Sequence, residues 1–557
     1  NYIDESASNV ATVNSIDVFH VETTSDYVNL NYKISNLNNN DVYFIFTNTS
    51  VDSYRSNPTV EVSYSKNDAP INSQRNTGDF EGLRVIDKYK VKEFNQNPSN
   101  FVDFDKIKSD NDRSVNRADL NDYVGASQIF YTANSTTEEV VSATCREVTT
   151  DLSKNLSIYV ADNCWESTGS LDAKDYLVTQ EMVNTLSEKF LSAGAGNDIY
   201  DWVTGIYGAE WGAHDNKYYI QPNDNITILL CDIDEDNVPE NSIVMGYFHS
   251  KDSLIKTEQT EFSNQRIMFY IDAVMFANSE DPSSKLPSDK TGWQIADYWP
   301  QVTISVLSHE FQHMIHFYQK FILNYLSRSS DMWIEEMCSL VTEDFVSNKI
   351  GVNGPRGVRY DDPTGGLPGN KFGRLPLYNE YDDDSISTWL EGDDVLRSYS
   401  NSYSYGAYLA RNYGGVAFFK LIVQSPFTDY QAINDALAKS GYSDDFGKTL
   451  QNWGAAVILS DAAVSEPYKY NNFTAWMSSV SDKGVWYELG SINLYNYTNS
   501  NQIGPYIYSS SPVGAEKFSY SLNSSSNRFY LASENTSGTL ERTIKLDKNV
   551  KLTVVKK

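Results

Sequence analysis

Ser308-His309-Glu310-Phe311-Gln312-His313-Met314-Ile315-His316-Phe317 holds three of the six histidines in a chain of 557 residues. Within it runs the pattern H-E-x-x-H. On a helix, residues four apart lie one turn above another on one face. His309 and His313 can then aim two imidazole nitrogens at one ion, with Glu310 placed to take a proton from a water on that ion. The pattern is short and counts only on a helix. Trp299-Pro300 marks a start, since proline suits a first turn. From there Val302, Val306, Leu307, Phe311, Met314, Ile315 and Tyr318 recur at three-to-four spacing, and neither Gly nor Pro interrupts Gln301 to Leu326. A lone histidine in such a helix reads first as a packed side chain; this pair with its glutamate reads as a metal site.

A catalytic zinc site takes three protein ligands and keeps one position open. A third histidine in H-E-x-x-H-x-x-G-x-x-H is excluded, because His316 stands where the Gly belongs and Gln319 where the His belongs. The remaining solution is a carboxylate from a second helix. The stretch Ser330-Asp331-Met332-Trp333-Ile334-Glu335-Glu336-Met337-Cys338-Ser339-Leu340-Val341-Thr342-Glu343-Asp344-Phe345 supplies one. Ser329, Ser330 and Asp331 are N-cap types, and acids suit the first turn. Glu335 and Glu336 are both candidates.

These residues resemble a known family. The run from His309 to His313, followed by Trp333-Ile334-Glu335-Glu336 and then Glu343, is similar to the gluzincin metallopeptidases. These read H-E-x-x-H, then W-[LI]-x-E, then a further Glu seven residues on. Among them the wording His-Glu-Phe-Gln-His-Met-Ile is most similar to the hyicolysin-type family. The resemblance implies Glu336 as the third zinc ligand and Glu343, two turns further along the same face, as a carboxylate that orients a ligating histidine. Met337 departs from the pattern, since many gluzincins carry Gly there. The resemblance also implies a thermolysin-like catalytic domain with a β-strand upper lobe and a helical lower lobe. An edge strand near Gly246-Tyr247-Phe248 would pair with substrate. Some gluzincins, the aminopeptidase branch in particular, stabilise the oxyanion with a Tyr in Y-x-x-G-A. Tyr403-Ser404-Tyr405-Gly406-Ala407 matches this motif, which makes Tyr403 the candidate donor, with Tyr405 and Tyr408 as competitors. The G-x-M-E-N motif of that branch, which anchors a free amine, is absent here, and an endopeptidase acting on proteins or peptides is expected. The competing expectations are an aminopeptidase-like exopeptidase and a surface adhesin whose metal centre is vestigial.

Composition sets the outer bounds. The net charge of −30 argues against nucleic acid or an anionic membrane as the main partner. No window approaches eighteen apolar residues, so no membrane span is expected. The first residue is Asn, and no leader is visible. With 39 tyrosines and abundant Asn and Ser, the composition suggests an extracellular or cell-surface bacterial protein, from which a leader has been removed. Four cysteines occur without a C-x-x-C pair, which argues against a second, cysteine-based zinc site. Cys145 and Cys164 lie in one polar region where a disulfide and free thiols compete, whereas Cys231 and Cys338 read as packed thiols. His20, His214 and His249 read as structural.

The expected fold is α+β and multidomain. Residues 1–150 form an N-terminal β-rich, sandwich-like module with a polar connector, 151–480 the catalytic domain, and 481–557 a C-terminal β module. Strands are expected at Tyr27–Tyr32 and Asp41–Phe46, separated by a turn at Asn36–Asn40. Asp79 to Asp122 reads as loops. Leu156–Val160, Ile226–Leu230 and Ile267–Ile271 read as strands, with a helix from Val178 to Phe190 between the first two. Gly351 to Gly373 reads as a long loop near the cleft. Asp232-Ile233-Asp234-Glu235-Asp236-Asn237 places acids at alternate positions, as a Ca2+ loop would, but it fails the EF-hand template at Asn237 and Ile243. The runs Asp382-Asp383-Asp384 and Asp393-Asp394 invite the same question, with solvated acids as the competing reading.

Overall fold

The computed structural model describes residues 2–6, 16–22, 27–51, 59–63, 84–86, 89–110, 122–133, 138–166, 176–194, 197–222, 224–233, 242–279, 292–324, 326, 328–356, 373–478, 484–499, 502–509 and 517–557. Among these, six strands form a central sheet. Their spatial order is Gly246–Phe248, Met268–Asp272, Asn225–Cys231, Lys154–Ala161, Glu138–Asp151 and Ser127–Ala133. The second, third and fourth of these run parallel; the outer strands are antiparallel to their neighbours. Ile226-Thr227-Ile228-Leu229-Leu230 and Met268-Phe269-Tyr270-Ile271 are buried throughout. Such near-continuous apolar runs are what strands covered on both faces require.

Helices Gln180–Phe190 and Ile199–Tyr207 follow the first parallel strand. The helix Tyr298–His316 packs against the edge strand Gly246–Phe248 and its neighbour. Beyond it, the described segments from Met332 to Leu459 hold helices and no strand: Met332–Ile350, Arg374–Glu380, Val395–Asn412, Gly415–Gln424, Asp429–Lys439 and Phe446–Leu459. The chain is therefore mixed helix and sheet. Helix Met332–Ile350 is buried around most of its girth, as a helix packed on every side must be. It ends at Gly351, whose φ of +76° is the left-handed C-terminal cap for which glycine is favoured.

The second sheet joins the two ends of the chain. Its order is Lys517–Ser521, Thr59–Ser63, Ser526–Leu546, Val28–Asn48, Val550–Lys556 and Asp17–Val21. Strands from the two terminal regions, expected as modules at 1–150 and 481–557, thus alternate in one sheet. Strands Ser127–Ala133 and Glu138–Asp151, which begin before residue 151, pair instead in the central sheet. The turn expected at Asn36–Asn40 is absent. Val28–Asn48 is one strand of 21 residues, paired along its length with Ser526–Leu546. Asn36 and Asn39 adopt φ of +61° and +54°, which asparagine tolerates better than most residues. Opposite them the register shifts repeatedly between Leu531 and Leu540. The polar run therefore bends the strand and does not end it. Val28, Leu30 and Tyr32 from one half and Val42, Phe44 and Phe46 from the other share one core. Tyr43 and Ile45, on the opposite face, join the main core.

His20 sits in this sheet with Nδ1 2.9 Å from Thr553 Oγ1. Burial, then the charge of Lys448, lowers its pKa to about 4. An unfolded histidine titrates near 6.5, so between about pH 6.5 and 4 the unfolded chain binds the extra proton and stability falls with pH. We expect the step from pH 7 to pH 5 to cost about 1–2 kcal/mol through this group. Thermal melts of the parent and His20→Gln check this: the variant should lose less stability over that interval, and equal losses would remove His20 as the cause.

Candidate metal centre

Helix Tyr298–His316 carries the two histidines and continues into a π-helical turn, Phe317–Ile322. π-turns are uncommon and often mark functional sites. The carboxylate comes from Met332–Ile350, which packs along the histidine helix. His309, His313 and Glu336 each offer one ligand atom, and these atoms lie within 4.8 Å of one another. His309 Nε2 is 3.2 Å from Glu336 Oε2, and His313 Nε2 is 3.7 Å from Glu336 Oε1. Donors about 2.0–2.1 Å from a tetrahedral zinc stand about 3.3 Å apart, close to this spacing.

The tautomers follow from the partners. Glu343 Oε1 lies 2.7 Å from His309 Nδ1 and accepts its proton, while Ser305 Oγ donates to Glu343 Oε2 at 2.6 Å. Ser339 Oγ gives its hydrogen to Gln312 Oε1 at 2.5 Å and sits 3.3 Å from His313 Nδ1, from which it can accept. Both rings therefore present Nε2 as a lone pair toward Glu336. Glu336 is fully buried, and neither of its oxygens makes a regular hydrogen bond among the described residues. A carboxylate in that state needs a cation. The Lys92 ammonium meets that charge in this structure; the donor set of two Nε2 lone pairs and a carboxylate is what fits a divalent metal.

Glu310 is buried and lines the cleft with His313, Phe317, Glu335, Tyr247, Phe248, Val91, Lys92 and Asn95. The edge strand lies hard against it. A Cβ at Gly246 would stand 3.0 Å from Glu310 Cγ and 2.9 Å from both Val306 Cγ1 and the Tyr270 carbonyl oxygen. Only glycine allows this approach. Glu335, the alternative ligand, lines the cleft but stands outside the cluster: Ser329 Oγ donates to it at 2.6 Å, and burial pushes its pKa up to about 7.

The remaining candidates fall outside the cluster. His316 Nε2 is 3.1 Å from Ser330 Oγ, and burial holds its pKa well below the ordinary value. Gln319 donates to the Ala209 carbonyl at 2.8 Å. Tyr403, the candidate oxyanion donor, stands apart from the cluster. It is fully buried and donates to Asp344 Oδ2 at 3.1 Å, an oxygen that also pairs with Arg411 Nη1 at 3.0 Å. Tyr403 does not line the cleft, and its hydroxyl is spent holding Val395–Asn412 to the glutamate helix. Gly406 of the same short motif has a packing reason: a Cβ there would lie 2.6 Å from Met337 Cγ and Val341 Cγ2. The small residue that many gluzincins place at position 337 stands on the facing helix instead.

Of the acidic runs, Asp383 Oδ2 accepts from Arg528 Nη2 at 2.6 Å, and Asp384 is held by Arg397 Nε and Nη2, both at 2.6 Å. Asp394 pairs with Arg397 at 2.9 Å. The charges of Asp383, Asp384 and Asp394 are met by arginine. Residues 234–237, the side chain of Asp393 and residues 357–372 of the expected cleft loop lie outside the described residues. The four cysteines are buried free thiols. Residues 79–122 were expected as loops, yet they include helices Tyr89–Gln96 and Phe104–Asp110. The first of these supplies Val91, Lys92 and Asn95 to the cleft, a contribution missed from sequence because one eight-residue helix shows little periodicity.

Residues 142–475 match the peptidase M30 family, more than half of the 557-residue chain. The chain belongs to the peptidase M30 family. It is also similar to the neutral metalloprotease ShpI of Staphylococcus hyicus, with 25% identity over 338 residues, 60% of this chain and 62% of that protein. The alignment thus spans less than two thirds of that relative. The M30 match contains the histidine and glutamate helices and the edge strand; it begins after the cleft helix Tyr89–Gln96. No helix among the described residues is long and apolar enough to cross a membrane.

Proposed function

We propose that this M30 chain is a zinc-dependent endopeptidase that hydrolyses peptide bonds in protein or peptide substrates outside the cell. The observation that carries the reading is the buried triad His309, His313 and Glu336, with Glu310 on the same helix facing the same cleft. His309 and His313 through Nε2, and Glu336 through its carboxylate, would hold the ion. Zinc bound there would acidify a water and polarise the scissile carbonyl. Glu310 takes the proton from the nucleophile and delivers it to the leaving nitrogen. Glu343 fixes the tautomer and aim of His309. Among the described residues the edge strand Gly246–Phe248 has one neighbour in the sheet, so its other side can take an extended peptide by strand addition. We read the strand-rich and helical halves as the upper and lower lobes of a thermolysin-like domain. The absence of an amine-anchoring G-x-M-E-N motif supports internal cleavage over aminopeptidase action.

Casein hydrolysis by the purified chain should stop on chelation and return with zinc. A chain that takes up zinc and never cleaves would overturn the reading in favour of a binding protein. Glu343→Gln should weaken zinc binding by about 10–100-fold, since an orienting carboxylate is lost. Titration against a chromophoric chelator measures this, and unchanged affinity would remove Glu343 from that role.

A further inference from the structure

Helix Tyr89–Gln96 spans the cleft from one wall to the other. On the metal side, Lys92 Nζ lies directly against Glu336 Oε1 and 2.9 Å from His313 Nε2. On the substrate side, the Asn95 amide donates to the Phe248 carbonyl and accepts from Ser250 N, each at 2.7 Å. The Phe94 ring meets His249 at a centroid distance of 4.9 Å, and Ser329 N donates to the Gln96 carbonyl at 2.8 Å. Val91 and Phe94 are buried beneath the helix.

Each contact takes something the chemistry needs. The Lys92 ammonium puts a positive charge among the atoms that would bind a metal, and two cations cannot share that volume. The Asn95 side chain, itself an amide, satisfies backbone groups at the end of the edge strand, where a peptide substrate would pair. The helix lies outside the segment that matches the M30 family.

We propose that Tyr89–Gln96 is an autoinhibitory plug, with Lys92 standing in for the metal and Asn95 for the substrate, so that zinc loading and substrate entry require its withdrawal. The inference rests on the metal-centre reading above and names how that site is held latent.

Zinc affinity is to be compared between the full-length chain and its Lys92→Met variant by chelator competition. An apparent affinity scales with the fraction of molecules whose site is free, so the variant should bind at least about tenfold more tightly and should cleave casein faster. Equal affinities would overturn the proposal whatever the hydrolysis. Tighter zinc binding with no cleavage by either protein would uphold the plug and sink the peptidase reading instead. The unaltered chain provides a second arm that does not depend on the variant folding. Amine acylation mapped by mass spectrometry, with and without zinc, should show Lys92 becoming several-fold more reactive on loading while Lys439 stays constant. Lys92 that remains protected in a chain carrying zinc would overturn the proposal.

Discussion

Glu310→Gln should lower casein hydrolysis by the zinc-loaded chain by about 10²–10⁴-fold, the range that a positioned general base contributes. Glutamine preserves the size and burial of the side chain, and Gly246 already packs against its Cγ, so the cleft should keep its shape. The proposed ligand atoms belong to His309, His313 and Glu336, so zinc content should stay at one per chain. The loss should fall on kcat, because what is removed is proton transfer, not substrate binding. Hydrolysis at the parent rate would exclude Glu310 as the base.

Glu336→Ala should abolish zinc binding, with metal content falling from one per chain to near zero by elemental analysis. Two histidines alone leave the site without the carboxylate that completes it. The metal-free chain should suffer as well, because Lys92 would lose its buried counter-ion. Removing one partner of a buried pair typically costs about 3–5 kcal/mol, so the melting temperature of the apo protein should drop. Glu335→Ala provides the contrast. Its carboxylate is held by Ser329, and zinc should stay bound. If Glu335→Ala lost the metal and Glu336→Ala kept it, the assignment would be reversed.

The metal helix was legible because its chemistry coincides with its geometry: His309 and His313 are four apart, and the helical period alone puts them on one face. Glu336 was less so. Residue type left Glu335 equal to it, and the resemblance to W-[LI]-x-E separated the two. Tyr403 went astray because Y-x-x-G-A is short and 39 tyrosines offer many partial matches; its glycine serves the contact with Met337 and Val341. Asn36–Asn40 looked like a turn by composition, but a partner strand nearly 500 positions away continues past it. Such pairing is long-range, and no local pattern carries it. The cleft helix was hidden for a related reason. Lys92 is an ordinary residue in a polar stretch until the fold sets it beside Glu336.

The central claim is that one metal binds among His309, His313 and Glu336. Anomalous diffraction at the zinc edge, from crystals of the zinc-loaded chain, tests it most directly. The account predicts a single strong peak bounded by His309 Nε2, His313 Nε2 and the Glu336 carboxylate, with Lys92 moved out. A peak at any other position, or none in protein shown to carry zinc, would contradict it.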